Sequence, residues 1–175
     1  MKFSIIAAAD KNMGIGVDNK LPWRLKGDLQ YFQYVTTEAE QGKVNAVIMG
    51  RKTWESLPDK TKPLKDRVNV VLSRNYADVP DGVLVVNSLE DALYQLWNDE
   101  KVDKIFVIGG ASVYKQAIEH PDCDRIYLTE VQDVFNCDAF FPEIDYNIFE
   151  VIEDADPHDE NGLKYRFAVF GRKHK

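Results

Sequence analysis

Short apolar runs alternate with helical patterns along this chain, and that alternation restricts the fold more than any other feature. Phe3–Ala9 and segments 46–49, 68–72, 83–86, 105–108 and 126–131 read as buried strands. Segments 25–35, 52–56, 88–97 and 111–119 carry helical patterns between them. Strands that alternate with helices predict an α/β fold with a largely parallel sheet. Ser88, with Asp91 three residues on, marks one helix start. Segments 149–153 and 164–170 form a late strand pair at an edge. Residues 11–23, with Gly14, Gly16, Asn19 and Pro22, read as a long loop, as do residues 58–65.

The 175 residues, 45% hydrophobic and 29% charged, suit one core, so residues 1–175 are read as a single domain. No apolar run approaches the roughly 20 residues that span a bilayer, and Asp10 and Lys11 end the first run too early for a signal peptide. No membrane association is therefore expected. The net charge of −7 disfavours phosphate backbones, so no nucleic-acid partner is expected. Cys123 and Cys137 form neither a CxxC pair nor a zinc spacing, which leaves no metal site and two inert thiols in a reducing, cytoplasmic setting. His120, His158 and His174 read as solvated surface residues.

The helix from Leu25 holds one anomaly. Leu25, Leu29, Phe32 and Val35 fall on a stripe about 120° wide, and Asp28 lies inside it. A carboxylate facing a core needs something to hold it. Two readings stand at this point: a first-turn Asp favoured by the helix dipole, or a carboxylate lining an apolar pocket, able to grip an amidine-like group with both oxygens.

Three strand ends carry turns suited to anions. Gly50-Arg51-Lys52-Thr53 sets a glycine, two cations and a hydroxyl at a helix start. Gly109-Gly110-Ala111-Ser112 is a strand–helix turn where backbone N–H groups can approach a pyrophosphate. Leu72-Ser73-Arg74 adds a third cation. All lie at strand carboxyl ends, where open α/β sheets bind ligands, and together they indicate a phosphorylated cofactor. Gly14-Ile15-Gly16 lacks the third glycine and the helix of a dinucleotide fingerprint, so a mobile lid is the better reading.

These segments resemble the dihydrofolate reductase family. The resemblance runs through Ile15-Gly16-Val17-Asp18-Asn19-Lys20-Leu21-Pro22-Trp23, then Asp28, Leu29 and Phe32, then 47–54, 63–67, 108–114, 126–129 and 138–142. It implies an eight-stranded, mostly parallel sheet with an antiparallel C-terminal strand and four flanking helices. It implies reduction of 7,8-dihydrofolate by NADPH, with hydride delivered to C6 and a proton to N5, and antifolates such as methotrexate as further ligands of a monomer. A reductase of riboflavin synthesis and a non-catalytic nucleotide sensor are the rivals; neither calls for Leu21-Pro22-Trp23 together with Asp28.

The resemblance also implies roles. Asp28 takes the pterin 2-amino group and N3, Thr129 bonds Asp28, Trp23 fixes a water, and Leu21 belongs to the lid. Leu29, Phe32, Leu57 and Leu64 enclose the substrate, Ile6 and Ile108 offer carbonyls, Tyr114 lies beside them, and Arg67 pairs with the glutamate α-carboxylate. Ala8, Ile15 and Gly16 hold the nicotinamide. Gly50, Arg51, Lys52, Thr53, Leu72, Ser73 and Arg74 hold the phosphates, with Gly109, Gly110, Ala111, Ser112, Val113 and Tyr114 at the pyrophosphate. The Gly109–Gly110 peptide is implied to be cis, and Asp138 to bond the lid loop. Leu21 stands where many bacterial members carry Met, and Ser112 where some carry Arg.

Overall fold

The computed structural model describes residues 1–75 and 78–174. In chain order they form β1 (Phe3–Ala9), β2 (Gly14–Gly16), α1 (Lys26–Thr37), β3 (Val44–Gly50), α2 (Arg51–Ser56), a 3-10 turn at Asp59–Thr61 and β4 (Arg67–Leu72). There follow β5 (Leu84–Val86), α3 (Leu89–Trp97), β6 (Val102–Gly109), α4 (Ala111–Glu119), β7 (Cys123–Val131), β8 (Ala139–Phe140), β9 (Phe149–Asp154), β10 (His158–Glu160) and β11 (Leu163–Arg172).

The main sheet runs β10-β11-β7-β1-β6-β3-β4-β5, with β9 also paired to β11. Strands β1, β3, β4, β5, β6 and β7 pair in parallel, while β11 runs antiparallel to β7, β9 and β10. The parallel strands are buried on both faces, so they read as continuous apolar runs. Ile5, Val47, Ile48, Met49, Val70, Val71 and Val107 are fully buried in them. Helix α3 adds Leu93 and Leu96 to the same core, each contributing roughly 1.5–3 kcal/mol by leaving water. The Ser88 hydroxyl accepts the Asp91 N–H, as the capping pattern predicts.

Among the described residues the sheet has nine strands rather than eight. The ten-residue β11 is longer than either edge partner. Its first half pairs with β10 and its second half with β9. Pro157 lies between those partners and has no N–H to donate, so one edge becomes two short strands. The presumed long loop 11–23 also contains β2, which pairs with β8 more than 120 residues away. Three residues are too few to show a period in sequence.

The carboxyl ends of β1, β3, β4 and β6 fall at Ala9, Gly50, Leu72 and Gly109, along one rim of the sheet. Helix α1 lies beside that rim. Its only buried residues are Asp28 and Thr36, both polar. Phe32 and Val35 are half-buried, so the inner face of α1 borders a cleft rather than sealing a core.

Candidate active site

Asp28 is 9% exposed and accepts a 2.6 Å hydrogen bond at Oδ1 from the Thr129 hydroxyl of β7. Among the described residues it makes no ion pair. Burial pushes its carboxyl above the usual carboxylate range, the Thr129 bond draws it back, and the charge of Glu160 adds to the rise. Asp28 does sit in the first turn of α1, but its side chain is directed inward to Thr129. Of the two readings, the lining carboxylate is the one this geometry supports.

Glu160 is the residue the sequence pattern does not reveal. Helix α1 has no side-chain cap of its own, because Leu25 occupies the cap position. Glu160 of β10 supplies one from across the chain, accepting Lys26 N–H at 2.8 Å and Gly27 N–H at 3.1 Å. Gly27 makes room for the neighbouring Tyr165 hydroxyl, with which a Cβ there would collide. These backbone bonds hold the Glu160 carboxyl below its ordinary value of 4.5. A depressed carboxyl strengthens folding above that value, and the contribution is lost as pH falls through the folded one. Glu160→Gln should therefore melt below the wild type at neutral pH, and the deficit should vanish in acid. Thermal melts across pH check this.

Phe32, one turn along α1 from Asp28, is half-buried against an apolar cluster that includes Ile6, Phe106, Leu57, Leu64 and Ile108. Leu29, beside Asp28 on α1, is 44% exposed in the ligand-free cleft. The Tyr114 hydroxyl lies 2.8 Å from both the Ile6 and the Ile108 carbonyl oxygens, and its single proton can serve one at a time. Burial drives its phenol strongly upward, so it stays neutral. Trp23 is buried against Phe135, and its indole N–H has no partner among the described residues. A buried donor left so costs roughly 1–3 kcal/mol, which marks a place for a polar ligand atom.

At the far end of α1, the Arg67 Nη1 donates to the Thr36 hydroxyl at 3.0 Å and its Nε to the Lys65 carbonyl at 2.7 Å. These bonds fix the guanidinium plane before any ligand arrives. Asn69 was also invisible in sequence. It is buried, donates to the Leu64 and Arg67 carbonyls and accepts the Leu64 N–H, which locks the 64–67 turn.

The glycine turn forms the other half of the rim. The Gly109–Gly110 peptide is cis, as implied, and Lys62–Pro63 is cis as well. Gly109 has φ +129°, and a Cβ there or at Gly110 would stand 3.4 to 3.5 Å from Thr53 and Tyr114. Gly110 gives α4 no side-chain cap, so the first N–H groups of Ala111, Ser112 and Val113 face the turn. Val113 packs toward Gly50. Arg51 pairs with Glu55 at 3.3 Å, Lys52 and Arg74 are exposed, and the Ser73 N–H bonds the Val86 carbonyl beyond Leu72.

Residues 14–20 are ordered by bonds among themselves and to the segment at 138–140. Val17 and Lys20 exchange backbone bonds around Asp18 and Asn19, both at positive φ. Positive φ at both central residues makes this a tight hairpin of the primed kind. The Asp138 carboxylate accepts the Asp18 N–H at 3.0 Å, and the Asp138 N–H bonds the Gly16 carbonyl. Ile15 and Ala8 are half-buried beside it and Leu21 is exposed.

His120 is not solvated: it is 10% exposed, its Nδ1 accepts the Asp122 N–H, and its Nε2 lies 2.5 Å from Glu90. As the residue ending α4 it ties that helix to α3. Burial pushes the Cys123 thiol up to about 12 and the Cys137 thiol upward too, as inert thiols require.

A mostly parallel open α/β sheet with a buried carboxylate and a glycine–helix turn on one rim belongs to the class of folds that bind ligands at the carboxyl ends of their strands. A family model described as "Dihydrofolate reductase" matches residues 2–172. The chain is 45% identical to the dihydrofolate reductase of Heliothis virescens over 97% of both chains, and 44% identical to that of Bos taurus over 94% of both. The structure of Schistosoma mansoni dihydrofolate reductase superposes with a TM-score of 0.88 at 40% identity, covering 98% of each chain. The chain belongs to the dihydrofolate reductase family.

Proposed function

We propose that this chain reduces 7,8-dihydrofolate to 5,6,7,8-tetrahydrofolate with NADPH, and so supplies tetrahydrofolate for one-carbon metabolism. The observation that carries the reading is Asp28: a buried carboxylate, without an ion pair among the described residues, in an otherwise apolar cleft. Such a group matches the 2-amino and N3 edge of a pterin, which offers two donors side by side.

The residues present fit the cofactor. The uncapped start of α4 suits a pyrophosphate, the bare glycines allow close approach, and Arg51, Lys52 and Arg74 supply cations. When bound there, NADPH supplies the hydride that C6 of the pterin accepts. Ala8, Ile15 and Gly16 would line the nicotinamide end.

Thr129 fixes the rotamer of Asp28, so one carboxylate oxygen is committed and the pterin edge is met in one orientation. The Trp23 N–H holds a water, which carries the proton to N5; the negative charge of Asp28 favours that protonation. Ile6 and Ile108 turn carbonyls toward the pterin edge. Arg67, already oriented by Thr36 and Lys65, receives the α-carboxylate of the glutamate tail.

Mixing protein, NADPH and dihydrofolate tests the reading directly: absorbance loss at the NADPH band should follow only when both are present. Replacing Arg51 and Arg74 together with Ala should cut the preference for NADPH over NADH roughly 10-fold or more, since two charge-assisted contacts to the 2′-phosphate are lost. Dihydrofolate binding should hold. The kcat/KM ratio for the two cofactors is the measurement.

A further inference from the structure

Asp10 is a buried carboxylate with no place in the chemistry above. It is 4% exposed and, among the described residues, makes no ion pair. Four donors converge on it. Oδ1 accepts the N–H groups of Asn12 at 2.9 Å and Gly14 at 2.8 Å. Oδ2 accepts the Phe135 N–H at 2.9 Å and the Cys137 thiol at 3.8 Å. One oxygen therefore serves the segment that begins the lid, and the other serves the loop leading to β8. The two loops nest tightly there, because a Cβ at Gly14 would come 2.5 Å from the Cys137 sulfur.

A buried, unpaired charge is costly to keep, and a neutral side chain would do if the only need were to fill space. What a carboxylate adds is acceptor capacity on both sides with no donor of its own. Asparagine has the same shape but presents an NH2 to one of the two loops. Asp138 joins the same loops at the lid's tip, and Asp10 joins them at its base.

We propose that Asp10 is the positioning residue of the lid, fixing Gly14–Gly16 against the 133–138 loop so that Ile15 and Gly16 meet the cofactor in register. It touches neither substrate nor cofactor. This inference rests on the proposed NADPH site, and it makes Asp10 selective: it should govern retention of NADPH and leave the folate end alone.

The test is stopped-flow release of NADPH from wild type and Asp10→Asn, with equilibrium binding of dihydrofolate to each. Asp10→Asn should release NADPH roughly 10-fold faster, the loss expected for one broken charge-assisted bond set, and bind dihydrofolate within about 2-fold of wild type. An unchanged release rate overturns the inference, and so does an equal weakening of both ligands, which would mean a general loss of structure. If Asp10→Asn does not fold, amide exchange in the wild type decides. NADPH should slow exchange at Gly14 and Phe135 together, since their N–H groups share one carboxylate; a response at one alone, or at neither, refutes the linkage. Wild type that binds no NADPH would instead overturn the functional reading on which this rests.

Discussion

Asp28→Asn should lower the rate of dihydrofolate reduction at pH 7 by roughly 100-fold or more, equivalent to about 2.7 kcal/mol of transition-state stabilisation. The substitution keeps shape and volume and removes only the charge. It leaves a carbonyl oxygen for the Thr129 hydroxyl to bond. Folding should survive and gain. The Asp28 carboxyl is raised above its ordinary value of 3.8 by burial, so the ionised form weakens the fold. That penalty is absent below the ordinary value and grows as pH rises above it. The stability gain of Asp28→Asn should accordingly appear at pH 7 and fade in acid. A variant more stable yet far less active would separate the residue's catalytic role from its structural one, as measured by urea denaturation beside single-turnover kinetics.

Arg67→Leu should raise KM for dihydrofolate by roughly 50- to 100-fold while kcat stays within a few-fold, because a bidentate ion pair with the glutamate tail is made equally in ground and transition states. Stability should change little. The Thr36 hydroxyl loses Arg67 as a donor to it but still donates to the Phe32 carbonyl at 2.7 Å, so no buried donor is orphaned. Arg67→Lys should not restore affinity, since an ammonium lacks the planar fork. A substrate analogue without its glutamate should bind wild type and Arg67→Leu alike.

Much of this site was legible because its parts are local in sequence. The glycine turns, the cations beside them and the intruding Asp28 each lie within a few residues of a recognisable strand or helix. The four helices and the parallel order followed from alternating periods. What sequence hid was long-range. Glu160 caps α1 from more than 130 residues away, Asp10 reaches Phe135 and Cys137, and β2 finds β8 with three residues. No local pattern encodes such pairings. His120 escaped because a helix-ending histidine reads as solvent-facing until α3 brings Glu90 beside it.

In the proposed mechanism the Asp28 charge promotes protonation of the bound pterin. The most direct measurement is the pH dependence of the single-turnover reduction rate in wild type and Asp28→Asn. The deficit should be largest at neutral and alkaline pH and narrow as the solution is acidified, because solvent then protonates the substrate without help. A near-normal rate at pH 7, or a deficit equal at every pH, would contradict it.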